Sequence, residues 1–358
     1  MQGNGGVVEM ASGAKTRQSI GQQVFLAADI GGTHARVGLV SRRPDQTGPV
    51  TVLQYQRYAC AEWPSLTAVL KNFVGSLDQS LNLDQCAVAS AGYVRDDAIV
   101  NGNLPWPVSI SDIRNSLGIA QLSVINDFEA VAYASQFLGQ ADTRPVIESS
   151  APLVSGPVLV MGPGTGLGSA VLLPGRPRAT VLATEAGQIA LAPGNELEIE
   201  ILRALAREHA HVSFEHALSG PGLLNLYRIL SQLRDTPVRL DSPEAVTREA
   251  LARSDAAAVE ALDVFCGLLG SFVGDLALLY GASGGIYLAG GILPQIHQTL
   301  LASTFAERFF NKGVMRAFLQ QVPVRLMEHG QLGVIGAAGL FLDKQAPDEQ
   351  AMHGSSPA

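Results

Sequence analysis

Residues 24–40 read VFLAADIGGTHARVGLV. VFLAADI is apolar and rich in strand formers, it stops at Gly31-Gly32-Thr33, and ARVGLV resumes the pattern, so the stretch reads as a hairpin closed by a glycine turn. The unit returns later in the chain as VLVM (158–161), the turn GPGTGLG, and SAVLL (169–173). A third strand, GIYLA (285–289), runs into GGI and then QIHQTLLASTF, which predicts a helix. ELEIEILRALAREHA (196–210) and AAAVEALDVFCGLLGSFVGDLALLYG (256–281) are further predicted helices. Strands alternating with helices indicate an α/β protein with mixed sheets. The repeated unit suggests two related halves facing each other across a cleft. The stretches 140–157 and 232–246, rich in Pro, Ser, Asp and Thr, are expected to be connectors, the first near a domain boundary.

The bulk properties agree with a packed chain. A length of 358 residues predicts about two domains, and 47% hydrophobic against 16% charged residues is the composition of a globular protein. The formal charge of -8, with no basic cluster in the sequence, argues against nucleic acid as a ligand. Cys60, Cys86 and Cys266 are odd in number, far apart and without CxxC spacing, which points to a reducing compartment, the cytoplasm by default, and to no structural zinc site. Residues 1–23 are polar and Gly-rich with no apolar signal segment, and 346–358 are similar, so both ends are expected to be flexible tails. No stretch is expected to supply the roughly 18 apolar residues of a membrane span.

The turns Gly31-Gly32-Thr33, Gly162 to Gly168 and Gly290-Gly291 expose backbone N–H groups that suit phosphate oxygens, although ordinary hairpin chemistry uses the same residues. A P-loop is absent, because no GxxxxGK[ST] occurs and only Lys15, Lys71, Lys312 and Lys344 are lysines. GPGTGLG lacks the GxGxxG spacing and joins two strands, which disfavours a dinucleotide-binding turn. Phosphates here would be neutralised by backbone amides, Thr33, Thr165 and a magnesium ion. Asp29, at the end of the first strand, can hold Mg²⁺ directly or through water, or can cap its own loop. Arg36 either meets phosphate charge or pairs with an acid.

The run LSVINDFEAVAY (122–133) places Asn126 and Asp127 where an apolar strand gives way to a helix beginning near Phe128. A carboxylate there can cap the helix, bind a metal or act as a general base.

Together DIGGTHAR, SVINDFEAVAYA, GPGTGLG, TEAGQ, ALSGPGLLNLYR and YLAGGILP resemble, in order and spacing over about residues 24–343, the bacterial glucokinases. These are ATP-dependent hexose kinases of the sugar kinase, actin and heat-shock-70 superfamily. With no CxCGxxGC cluster, the chain looks like the group without zinc. The resemblance implies two ribonuclease-H-like domains around a central cleft: a small one of residues 24–137 plus 329–345, and a large one of residues 138–328. It implies ATP at Asp29, Gly31, Gly32 and Thr33, at Gly164, Thr165 and Gly166, and at Gly290 and Gly291, with Mg²⁺ at Asp29. It makes Asp127 the general base, Asn126, Glu185 and Glu215 sugar ligands, glucose the expected acceptor and a homodimer a common assembly.

The family pattern E-x-G-H is broken, since Glu185-Ala186-Gly187-Gln188 carries Gln188 in place of histidine. An amide can still read hydroxyls but cannot become cationic. His34 stands where the family commonly has Asn, a polar substitution whose protonation can alter pH dependence. A sugar-binding regulator with weak or no kinase activity, and a kinase of another hexose or an amino sugar, therefore stay open as alternatives. The N-terminal tail is too short for a helix-turn-helix domain.

Overall fold

The computed structural model describes residues 23–42, 50–100, 104–149, 154–175, 178–328 and 330–345. Except for Gln23, the expected tails lie outside the described residues.

The first half of the chain forms β1 (Val24–Ile30), β2 (His34–Arg42), β3 (Val50–Ala59), α1 (Leu66–Gly75), β4 (Gln85–Ser90), the short β5 (Tyr93–Arg95), β6 (Ala98–Val100) and β7 (Val108–Ser109), α2 (Ile110–Leu117), β8 (Gln121–Ile125) and α3 (Asp127–Ala134). Five of these strands make one sheet in the order β3-β2-β1-β4-β8. β1, β2 and β3 are antiparallel, whereas β1, β4 and β8 run parallel. β1 is apolar at every position but one because both faces of its sheet are covered. Leu26, Ala28 and Ile30 pack with α1 residues such as Val69 and Leu70, while Phe25 and Ala27 pack with a C-terminal helix.

The second sheet repeats that plan. β9 (Thr143–Ile147), β10 (Val158–Pro163), β11 (Leu167–Leu173) and β12 (Thr180–Thr184) come next. The helices α4 (Glu196–Leu205), α5 (Gly220–Leu233), α6 (Pro243–Leu251) and α7 (Ala256–Tyr280) precede β13 (Ile286–Leu288). α8 (His297–Ala302), α9 (Phe305–Phe310), α10 (Arg316–Leu319), β14 (Val324–Met327) and α11 (Leu332–Gln345) complete the chain. The order β12-β11-β10-β13-β14 has the same mixture of antiparallel and parallel pairs as the first sheet, with β9 added antiparallel on the outside. Two sheets of one ribonuclease-H-like plan therefore dominate the described residues, as the repeated hairpin suggested, beside a small sheet of order β5-β6-β7.

Three sequence expectations are corrected. The stretch 140–157 contains β9, which pairs with β14; Pro145 hides its strand pattern but is tolerated because β9 is an edge strand. In 232–246, α5 extends to Leu233 and α6 begins at Pro243, so the connector is shorter than expected. α7 is long and apolar enough, by length and composition, to cross a membrane, and 72% of its apolar window is buried inside the protein. Phe265, Leu269, Phe272 and Val273 of α7 lie in the core of the second half, so its apolar surface has partners on nearly every side.

Most helices begin on a side-chain cap. Ser65, Ser109, Asn126, Asn195, Ser219, Ser242 and Asp255 each accept a backbone N–H of the first turn, worth about 1 kcal/mol apiece. Beside α7, Glu198 and Arg308 form a two-pronged pair at 2.7 and 2.9 Å, with the Glu198 side chain 3% exposed. Arg308 Nε also donates to Ser271 Oγ at 2.9 Å, so the buried charges are satisfied.

α11 returns to the first sheet, and α3 lies between α11 and the second sheet. Ala130 and Tyr133 of α3 pack with Val334 and Ala337 of α11. Ala132 and Ala134 of the same helix pack with Val160 and Ala170 of β10 and β11. The contacts are close enough to require glycine: a Cβ on Gly336 would overlap the Ala130 carbonyl, and one on Gly168 would overlap the Phe128 ring. The Tyr133 hydroxyl ties α3 to the end of α11 by donating to Asp343 at 2.8 Å.

Candidate active site

β1 and β2 meet at Gly31–Thr33, where Gly31 N–H donates to the His34 carbonyl at 3.0 Å and closes the turn. Asp29 precedes the turn and lies directly across from Arg36, whose Nη1 is 3.0 Å from its Oδ2. Arg36 therefore pairs with an acid. Burial raises the Asp29 pKa, and the Arg36 guanidinium opposes that rise. α11 begins against this carboxylate, because a Cβ on Gly333 would collide with it.

A metal would depend on ligand oxygens here. Among the described residues no three His, Cys, Asp or Glu side chains converge on a metal position. Mg²⁺ commonly uses only one or two carboxylates with water and phosphate oxygens. Arg36 engages Oδ2 of Asp29 and leaves Oδ1 for such a role, so the donor set fits an ion that arrives with phosphates.

The second turn joins β10 to β11. Gly164 N–H donates to the Gly166 carbonyl at 2.7 Å, and the Gly164 carbonyl accepts from Gly220 N–H at the start of α5 at 2.8 Å. Thr165 is exposed at the tip. Gly290 adjoins this turn with φ +96°, and a Cβ there would overlap the Pro163 carbonyl. The end of β13, including Gly290 and Gly291, is thus beside the Gly164–Gly166 turn. Among the described residues no hydrogen bond joins the two turns to Gly31–Thr33.

Asn126 and Asp127 sit where β8 passes into α3. Asn126 Oδ1 accepts from Glu129 N–H at 3.1 Å and is the cap. Asp127 is the first helical residue, and its Oδ1 accepts from Phe128 N–H at 2.9 Å. Burial pushes the Asp127 carboxyl up to about 6, the nearby Asp29 charge adds to the rise, the Phe128 N–H opposes it, and Glu185 adds a smaller push. The cap of this segment is therefore Asn126, which leaves Asp127 Oδ2 without a hydrogen bond among the described residues.

Glu185, exposed, directly follows β12 and precedes a turn of 3₁₀ helix, Ala186–Gln188. Gln188 Nε2 donates to Glu215 Oε1 at 3.1 Å, and Leu167 N–H donates to Glu215 Oε2 at 2.8 Å. Glu215 lies in the 3₁₀ turn Phe214–His216, anchored by reciprocal bonds between Ser213 and His216. The Gln188 carbonyl meets His211 Nε2 at 2.8 Å. Sequence reasoning did not anticipate His211, since no short motif links it to Gln188. Among the described residues no hydrogen bond joins Asn126 to Glu185 or Glu215, whereas the Glu185 charge is felt at Asp127.

Two ribonuclease-H-like sheets of matching strand order, each with a glycine turn between its first two antiparallel strands, define the fold of the actin-like ATPase class. The glucokinase sequence profile matches residues 26–344. The glucokinase-like protein of Xylella fastidiosa (strain 9a5c) is 47% identical over 332 residues, 92% of this chain and 98% of that protein. The glucokinase of Nitrobacter hamburgensis is 38% identical over 315 residues, 88% of this chain and 96% of that protein. The crystal structure of a glucokinase from an Antarctic psychrotroph superposes with a TM-score of 0.77 at 33% identity, covering 89% of this chain and 99% of that one. The chain belongs to the glucokinase family, and its activity class is that of a sugar kinase.

Proposed function

We propose that the protein transfers the γ-phosphoryl group of ATP to the 6-hydroxyl of glucose, with Asp127 as general base. The observation that carries this reading is Asp127 at the start of α3, partly buried, with its carboxyl pushed up to about 6 beside Asp29 and Glu185. A base close to the working pH combines a large ionised fraction with useful proton affinity.

In this reading Asn126, Glu185, Gln188 and Glu215 hold the sugar hydroxyls, and Asp127 takes the proton from the attacking oxygen. Glu215 is acceptor-only, and with one N–H held to each oxygen it keeps further lone pairs for hydroxyl donors. Gly31, Gly32 and Thr33 take the phosphates from one side, and Gly164, Thr165, Gly166, Gly290 and Gly291 take the nucleotide from the other. Mg²⁺ held at Asp29 through water would supply charge neutralisation to the phosphates. The small unit of residues 24–137 with 329–345 and the large unit of 138–328 are the two bodies that close on the substrates. Three buried free cysteines suit a reducing cytoplasm.

A second reading, a kinase of another hexose or an amino sugar, rests on Gln188, an amide held to Glu215 where the family motif has histidine. The test is ADP formation from Mg-ATP with glucose, fructose, mannose, N-acetylglucosamine and no sugar, beside a direct sugar-binding titration. Strong turnover on glucose supports the first reading, and turnover on another sugar alone selects the second. Glucose binding without turnover would identify a sugar-binding regulator and overturn both.

A further inference from the structure

β2 and β3 place a second arginine beside the first turn. Asp29 is opposite Arg36, and Arg36 is opposite Arg57, so the three side chains form one row across β1, β2 and β3. His34 and Tyr55 share that face of the sheet, two residues from Arg36 and Arg57 along their strands. Arg57 Nη2 lies 2.8 Å from Nε2 and 3.2 Å from Nδ1 of His34. The His34 carbonyl is the group that closes the Gly31–Thr33 turn, which puts the Arg57 guanidinium at that turn.

The charges in this row do not balance. Asp29 pairs with Arg36, while among the described residues no carboxylate forms an ion pair with Arg57. Like charges directly opposite on neighbouring strands repel, and His34 relieves none of that repulsion because an imidazole can be only neutral or cationic. Burial and the two arginines both lower the His34 pKa, which favours the neutral ring that can accept from Arg57. An exposed, uncompensated guanidinium on an acidic protein, held at a turn whose Gly32 and Thr33 N–H groups donate no hydrogen bond among the described residues, is suited to an anion with several oxygens.

We propose that Arg57, positioned by His34, is a binding residue for the phosphate chain of the donor nucleotide at the Gly31–Thr33 turn. The proposal rests on the kinase reading above. Arg57 supplies a cation that the lysine-poor sequence lacks: of the described lysines, Lys312 is already paired with Asp275 at 2.6 Å, and Lys71 and Lys344 lie in α1 and at the end of α11. His34 acts through Arg57 and is a positioning residue.

The experiment compares wild type, Arg57→Gln, Arg57→Lys, His34→Ala and the double variant His34→Ala/Arg57→Gln. Arg42→Gln, at the other end of β2, serves as a charge control. The readouts are the thermal shift caused by Mg-ATP and Mg-ADP, and the KM values for ATP and for sugar. Loss of one charge-assisted contact predicts a KM for ATP about tenfold higher or more in Arg57→Gln, a smaller nucleotide-induced thermal shift, and an unchanged KM for sugar. Arg57→Lys should recover part of the loss. His34→Ala should raise the KM for ATP less, and add little to Arg57→Gln. A full nucleotide shift and an ATP KM within twofold of wild type in Arg57→Gln would overturn the proposal, as would an equal loss in Arg42→Gln. A wild-type protein that neither responds to ATP nor turns over would instead overturn the kinase reading.

Discussion

At the scale of single residues the proposed chemistry concentrates on Asp127. Replacing it by Asn keeps the size and the acceptor for Phe128 N–H but removes the base. Turnover is expected to fall by about 10²- to 10⁴-fold with sugar affinity within a few-fold of wild type, measured by steady-state kinetics and a binding titration. Near-normal turnover would remove the assignment. The pH dependence has a defined sign. The active form is the carboxylate, so with the group at about 6 the value of kcat/KM should fall roughly tenfold per pH unit on the acid side of that value and level off above it. The same shift has the opposite effect on stability. Because the folded-state pKa lies above the ordinary value of 3.8, the native protein binds the extra proton between the two, and this group's contribution to stability falls as pH rises through that window. Asp127→Asn should therefore raise stability at pH 7 by about 1 to 3 kcal/mol, read by denaturant unfolding. That trade, stability against function, is expected of a carboxylate kept out of water for chemical use.

At the scale of elements, α3 is positioned by two glycine contacts. Gly336→Ala would drive a methyl group into the Ala130 carbonyl, and backbone cannot turn aside as a side chain can. The expected result is a loss of about 1 to 3 kcal/mol in unfolding free energy and a fall in turnover of up to about 10²-fold as Asp127 moves with its helix. A variant that loses stability while keeping full turnover would show that α3 is held elsewhere. β1, β2, β10 and β11 were legible in the sequence because each is an apolar run ended by a glycine turn, where local pattern and fold agree. β9 was not, since Pro145 makes an edge strand read as a loop. α4 ends at Leu205 although the sequence predicts a helix running on to Ala210, because the N–H groups of Arg207 and Glu208 bond the carbonyls three residues back, of Ala204 and Leu205, in a tighter turn. At the site, Asp127 and the glycine turns were visible as motifs. The Gln188–Glu215 bond and the Arg36–Arg57 apposition were not, because each depends on pairing between segments that no local pattern links.

At the scale of the molecule, two sheets have the same plan, and the candidate residues come from the ends of strands in both. Closure on sugar is expected to shrink the radius of gyration in solution scattering and to raise the unfolding free energy, by about 2.7 kcal/mol at a sugar concentration 100-fold above Kd. Binding without any change in scattering would mean that the sheets are already in their working arrangement. α3 gives this movement a particular character. Ala130 and Tyr133 pack against α11, which rides on the first sheet, and Ala132 and Ala134 against β10 and β11 of the second. A rotation of one sheet against the other must slide α3 along at least one of those surfaces, so the angle between the halves and the position of the Asp127 carboxylate form a single geared coordinate. A sugar that fills the cleft poorly would stop the gear short of its end point, with the base misaligned in proportion. Discrimination among sugars would then show more in the rate of phosphoryl transfer than in the strength of binding.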